Sequence, residues 1–411
     1  IDGVRARFPA VSLTHDGHSR TSLDNPAGTQ VPQQVVDACA DTLVQRNANL
    51  GGRFATSLAA EEVLDSVHRK MAAFLGTDDP GEIILGPNMT TLTLHLSRSI
   101  CRGLQPGDEI IVTRMDHEGN VAPWLAAAED NGLVIRWADF STETWRIEAD
   151  HFESLLSDRT KVVALNHTSN LTGSTNDVKK LVSLAKQAGA IVYVDAVQYA
   201  PHGLIDVVDI GCDFLLCSSY KFFGPHMGIA WGKRSVLEAM KAYKCRCVPE
   251  SLPVKYETGT PQIELIAGIG GTIDYFARLG ERMGGGGSLR DKIGAAFLAA
   301  GEYETRLATR LIRGLQQLPG ISIVGPTVHS ESAPRVPTVS LRHESASPSD
   351  IASVLAERNI FVWSGHNYAL ETVRKLGLRE EEGVLRIGIA HYNTEAEIER
   401  TLDIVADAVG R

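Results

Sequence analysis

Two runs decide how this chain reads: AIVYVD at residues 190–195, and FLLCSSYKFFGPHMGIAWGK at residues 214–233. Each begins as a short apolar stretch, the pattern of a strand buried on both faces. The first ends in Asp195, and the second is followed closely by Lys221. Open α/β sheets bind ligands at the carboxyl ends of their strands, so an acid and an amine delivered to one rim can bracket an aromatic ring. An Asp beside a pyridine nitrogen keeps it protonated, and the protonated ring accepts charge from a carbanion; a Lys supplies an imine. Taken alone, a strand-end Asp is often a cap and a Lys is usually a solvated charge. Ser218 and Tyr220 before the Lys, with Gly224 and Pro225 after it, alter that reading, because hydroxyls placed there can donate to a phosphate.

Outward from these runs, the stretch from about Glu82 to Trp231 alternates short strands with segments of helical period, which predicts a sheet covered on both faces. The expected strands are Glu82–Gly86, Glu109–Thr113, Leu133–Trp137, Lys161–Leu165, Ala190–Asp195 and Phe214–Ser218, with Gly228–Trp231 as an antiparallel return. Asp177–Ala188 has its apolar residues on one helical face, with Asn176 or Asp177 as its cap. Gly284–Gly287 reads as a flexible link near a domain hinge. Beyond it the spacing predicts a helix from about Leu289, a crossing at Ser332–Pro337, a strand at Thr338–Arg342, a helix at Pro348–Arg358, and strands near Ile360–Trp363 and Val384–Gly388. The expectation is a large domain over 15–283 with a mixed, mostly parallel sheet, and a smaller α+β domain over 288–411 joined by residues 1–14. In GPNMTTLTLHL, from Gly86, a helix opens after a strand, so backbone N–H groups near Met89 and Thr90 offer an anion site.

Composition narrows the partners. The 411 residues are 43% hydrophobic and 22% charged, with a net charge of −10, which is typical of a globular enzyme and unsuited to a nucleic-acid surface. No apolar run is long enough to span a membrane. The six cysteines form no disulfide framework, and Cys245 and Cys247 lack a second pair at zinc-like spacing, so no metal is expected and the cytoplasm is the default compartment. Ile1 is not an initiator Met, which leaves a preceding segment open. A nicotinamide fold is disfavoured, because GIGGT at 268–272 is short and misplaced for a dinucleotide fingerprint.

Six ordered motifs complete the picture: LDNPAGTQVP (23–32), MDHEGNVAPW (115–124), NHTSNLTG (166–173), VDAVQ (194–198), ETGTP (257–261) and LRIGIAHYNT (385–394). With SSYKFFGP they resemble the class V aminotransferases, pyridoxal 5′-phosphate (PLP) enzymes of fold type I, and among them the group similar to cysteine desulfurases. The resemblance implies that Lys221 holds PLP as a Schiff base, Asp195 pairs with the ring nitrogen, Gln198 and Asn170 reach the phenolic oxygen, and His117 stacks on the ring. It puts the phosphate at Met89 and Thr90, with Ser218 and Tyr220 nearby and Thr260 reaching across a homodimer to the partner's phosphate. Arg386 would bind the substrate α-carboxylate, and Asn25 would enter the active site from the N-terminal signature. A buried guanidinium needs such a partner in any case.

One motif departs from the group. WSGHNYA (363–369) has Tyr368 where desulfurases carry the cysteine that holds a persulfide, and no cysteine follows Cys247. His366 and Tyr368 then become candidate acid/base groups or walls of a roomier substrate site. Gly51 and Gly52, in a segment lacking the relatives' His-Arg, would widen it further. The expected activity is that of a PLP enzyme acting on an L-amino acid through quinonoid or enamine chemistry, as a lyase without a persulfide. Three alternatives stand beside it: decarboxylative or enamine-based C–C bond formation with a second carbonyl or electrophile, transamination, and a PLP-binding regulatory scaffold.

Overall fold

The computed structural model describes residues 3–15, 17–330 and 333–410. Seven strands form the main sheet: β1 (Ile83–Gly86), β2 (Glu109–Thr113), β3 (Val134–Ala138), β4 (Thr160–Asn166), β5 (Ile191–Asp195), β6 (Phe214–Ser218) and β7 (Gly228–Gly232). Their spatial order is β1-β7-β6-β5-β4-β2-β3. β2 to β6 run parallel, and β7 lies antiparallel between β6 and β1. This is a mixed, mostly parallel α/β sheet with an apolar core on each face, as the sequence pattern predicts.

All the strands but the edge strand β3, whose residues alternate between exposed and covered, are largely buried on two sides, and alternation sorts their residues into two cores. Ile83, Leu85, Ile111, Val163, Leu165, Val192 and Val194 belong to one cluster. Ile84, Ile110, Val112, Val162, Ala164, Tyr193 and Leu216 belong to the other. The helices that matter for the site are α1 (Ala55–Leu75), α2 (Met89–Cys101), α3 (Val178–Gln187), α4 (Ile263–Arg282) and α5 (Leu289–Leu315). Asp177 caps α3 by accepting from the Lys180 amide. No helix among the described residues is long and apolar enough to cross a membrane.

A second, antiparallel sheet has the order β8-β9-β11-β10, from β8 (Ile321–Ile323), β9 (Thr338–His343), β10 (Trp363–Gly365) and β11 (Val384–Gly388). A third apolar cluster lies with it, including Leu307, Leu311, Val339, Leu341, Leu385 and Ile387. Residues 4–11 bury Val4, Phe8 and Val11 in the first core of the main sheet, while Arg5 reaches the C-terminal residues Tyr392 and Glu397.

The structure departs from expectation at two places. The stretch Ile360–Trp363 is not one strand: Ile360–Phe361 pairs in parallel with Thr21–Ser22, while Trp363 begins β10 against β11. Gly284–Gly287 links two helices that touch, since a Cβ on Gly280 would lie 1.7 Å from the Lys292 carbonyl oxygen. Gly285 N donates to Gly280 O at 2.8 Å, and a Ser288–Asp291 capping box opens α5 at once, so the turn is a tight helical hairpin. The passage from one core to the next runs along α5 itself, whose Ile293, Ala296 and Phe297 join the first cluster and whose Leu307, Leu311 and Leu315 join the third. Ser332, at the start of the expected crossing, lies outside the described residues.

Candidate active site

Parallel β4, β5 and β6 end at one rim, and their last residues are Asn166, Asp195 and Ser218. Asn166 and Asp195 are register partners, so they stand side by side. A cavity of about 130 Å³ opens there, lined by Asn88, Met89, Thr90, His117, Asn166, Thr168, Asn170, Asp195, Val197, Gln198, Ser218, Tyr220 and Lys221. The sequence expectation named nine of these thirteen. Asn88, Asn166, Thr168 and Val197 are additions, and the strand-end rule alone would have found Asn166.

β7 closes one side. A Cβ on its Gly228 would meet the Asn88 carbonyl carbon at 2.3 Å and Met89 N at 2.7 Å, so only glycine lets this strand approach the start of α2. Asn88 caps α2 by accepting from the Thr91 amide at 2.8 Å. The cap serves Thr91 and leaves the N–H groups of the first turn facing the cavity.

Burial sets the charges. It pushes Asp195 up to about 6 against the Val197 N–H that its carboxylate accepts at 2.8 Å and the nearby Lys221. Burial, with the Arg386 cation adding to it, brings Lys221 down to about 7, while Asp24 and Asp195 act the other way. Its Nζ donates to Pro26 O at 2.5 Å and lies 4.9 Å from the Tyr220 ring centre. Gln198 Nε2 donates to the same carbonyl at 2.8 Å, so Pro26 sets the height of both side chains. Burial, then the charges of Lys221, Arg386 and His366, lower His117 to about 3, so the ring is neutral. Its Nδ1 accepts from Gly119 N at 2.9 Å.

Arg386 is buried on β11. Its Nη1 donates to Asn170 O at 3.1 Å, its Nη2 lies 3.5 Å from Asp24 Oδ1, and its Nε has no partner. Asn170 Oδ1 is likewise buried and unpartnered, while its Nδ2 donates to Asn367 O at 2.6 Å. Asp24 is the pairing that sequence reasoning missed; a long-range contact between residues 24 and 386 leaves no local signal. Asn25 lies outside the cavity lining. Its amide donates to Gly388 O at 2.8 Å and Asn393 Oδ1 at 3.1 Å, and Tyr392 donates to its carbonyl, so its polar atoms are committed to tying the N-terminal segment to β11.

The loop after β10 does not line the cavity, but it touches His117 and Asn170, which do. Asn367 and Tyr368 both take left-handed backbone angles, at φ 52° and 57°. Glu118 N donates to Tyr368 O at 2.7 Å, and Tyr368 N donates to His366 Nδ1 at 3.0 Å. The Tyr368 ring stacks on His117 with centres 5.4 Å apart and meets His366 edge-on, yet is 62% exposed. Thr260 is exposed and away from this cavity. Burial holds the thiols of Cys101, Cys212 and Cys217 protonated. Cys245 and Cys247 are exposed, in the segment before Thr260.

The residues fit PLP. They supply a buried carboxyl for a ring nitrogen, a buried amine for the aldehyde carbon and a helix N-terminus for a phosphate, while Arg386 Nε and Asn170 Oδ1 are buried polar atoms left unpartnered.

Fold and site define a PLP enzyme of fold type I. The aminotransferase class-V family model matches residues 21–401, and the chain belongs to that PLP-dependent family. A probable cysteine desulfurase of Synechocystis is 32% identical over 96% of this chain and 92% of its own length. The aminotransferase-like protein FGM3 of Gibberella zeae is 30% identical over 98% and 96%. Among solved structures, the apo cysteine desulfurase of Thermococcus onnurineus superposes with a TM-score of 0.87 at 25% identity, covering 99% of this chain and 97% of its own. The cysteine desulfurase CsdA of Escherichia coli does so at 0.83 and 26%, with the same coverage.

Proposed function

We propose that the chain is a PLP-dependent lyase that breaks a side-chain bond of an L-amino acid, a C–S bond foremost, without passing sulfur to a loop cysteine. The observation that carries this reading is Tyr368, stacked on His117 at 5.4 Å in the loop where the resemblance expects the persulfide cysteine. Bound PLP supplies an electron sink for charge that develops at the substrate's α-carbon. Lys221 would hold the cofactor, and its Nζ, available in neutral form near neutral pH, would move the α-proton. Asp195 would keep the ring nitrogen protonated, Gln198 and Asn170 would face the phenolic oxygen, and His117 would lie against the ring. Met89, Thr90 and Ser218 hold the phosphate, with Tyr220 beside them and Thr260 reaching the partner's site in a homodimer. Arg386 grips the substrate carboxylate, Asn25 braces the strand that carries it, and His366 with Tyr368 encloses the side chain.

Transamination is the second reading, favoured by the similarity to an aminotransferase-like fungal protein. A single turnover with L-cysteine, followed by alkylation and mass spectrometry, separates the routes. The lyase releases pyruvate, ammonia and sulfide and leaves all six thiols unmodified. Alanine together with a persulfide on any cysteine overturns the proposal.

A further inference from the structure

Beneath the proposed phosphate site lies a buried pair that the reaction does not use. Glu257 Oε1 accepts two hydrogen bonds, from Leu85 N at 2.8 Å and from His68 Nε2 at 2.8 Å. Leu85 is the penultimate residue of β1, directly before the Gly86–Asn88 turn that delivers Met89 and Thr90 to the cavity. On its other side Glu257 leads into Thr258, Gly259 and Thr260, the segment assigned above to the partner's phosphate. One carboxylate oxygen therefore ties the turn that meets this chain's phosphate to the segment assigned to the partner's.

The imidazole that faces it is committed at both nitrogens. His68 sits on α1, and its Nδ1 is 2.8 Å from Leu64 O, a group that can only accept, so Nδ1 carries a proton. A proton at Nε2 as well completes the bond to the carboxylate. Without it, a lone pair would face the Glu257 oxygen inside the protein. His68 is 8% and Glu257 15% exposed at the side chain, so water replaces little of what is lost. The charged groups facing the ring are Glu257, from the segment leading into α4, and Asp65, from its own helix; β1 contributes the Leu85 amide. Burial works against the ring's charge, yet the Glu257 hydrogen bond and the two carboxylates raise it above the ordinary histidine value.

We propose that His68 is a positioning residue for the phosphate site: its protonated ring locks Glu257, and its deprotonation loosens the β1 turn and the 257–260 segment together, weakening cofactor retention as pH rises. The inference rests on the phosphate assignment above. The lock holds up to the raised value and opens beyond it, so the loss falls above the pH at which an ordinary histidine titrates.

The test uses the purified full chain and pyridoxamine 5′-phosphate, which cannot form the imine with Lys221 and so leaves that amine's titration out of the covalent step. Its dissociation constant is measured by fluorescence from pH 6 to 9 for the wild type, His68→Arg and Glu257→Gln. The wild-type constant divided by that of H68R should be near one at pH 6 and rise about tenfold by pH 9. E257Q, which keeps the Leu85 contact but removes the charge, should bind more weakly at pH 6 and lose the alkaline step. A ratio flat across the range, with all three proteins folded by circular dichroism, overturns the role of His68. Failure of every protein to bind pyridoxamine phosphate would instead strike the phosphate assignment itself.

Discussion

The two walls of the site are built in opposite ways. One consists of the ends of β4, β5 and β6, where Asn166, Asp195, Ser218 and Lys221 are buried and anchored by strands that hydrogen bonding and two apolar cores hold from both sides. The other is the loop after β10, with an exposed Tyr368, two successive left-handed residues and clips to Glu118 and Asn170. Charge is shifted on the first wall because burial forces it; the Tyr368 side of the second is open to water. Chemistry common to a family suits a wall that cannot move, and the choice of substrate suits one that can be rebuilt residue by residue.

That contrast orders the expected effects. Lys221→Ala should abolish covalent cofactor attachment, seen as loss of the borohydride-reducible adduct by mass spectrometry, and should bring turnover to background; retained turnover would break the division outright. Arg386→Gln lies where the walls meet. It should reduce kcat/KM on the order of 100-fold, corresponding to roughly 3 kcal/mol of charge-assisted hydrogen bonding, with cofactor absorbance unchanged. An effect on the cofactor spectrum as large as on kcat/KM would show that the guanidinium serves the first wall instead. Tyr368→Ala removes only a ring contact worth about 1 kcal/mol, so KM should change roughly fivefold and the preference among amino-acid side chains should shift, while cofactor affinity holds. A collapse of cofactor binding in that variant would mean that the loop supports His117 and is part of the rigid side.

The same contrast explains what the sequence could disclose. Glu109–Thr113, Phe214–Ser218 and Val384–Gly388 were legible to the residue, because strands buried on both faces leave continuous apolar runs bounded by polar residues. Lys221, Asp195 and Gln198 were legible as lining residues because short motifs carry them to a strand end. Arg386 stood out as a charge in an apolar run, but Asp24 beside it did not, since nothing local links residues 24 and 386. The break at Val362 was hidden for the same reason: Ile360–Phe361 is drawn out of β10's line by a pairing with Thr21–Ser22 from the other end of the chain. Asn25, expected to meet substrate, instead spends its amide on Gly388 and Asn393, a choice that depends on folded neighbours. The Gly284–Gly287 run suggested looseness by composition, yet the contact of Gly280 with Lys292 makes it a tight turn.

The long helix α5 carries a consequence of its own. A single rod of 27 residues has its first turns in one apolar core and its last turns in another. Most of a protein helix's stability comes from packing of its apolar face, so loss of either core removes the support of half this helix. Thermal melting of the C-terminal sheet would therefore tug directly on the core beneath the cofactor strands, and the chain should lose both in one transition rather than shed its smaller part first.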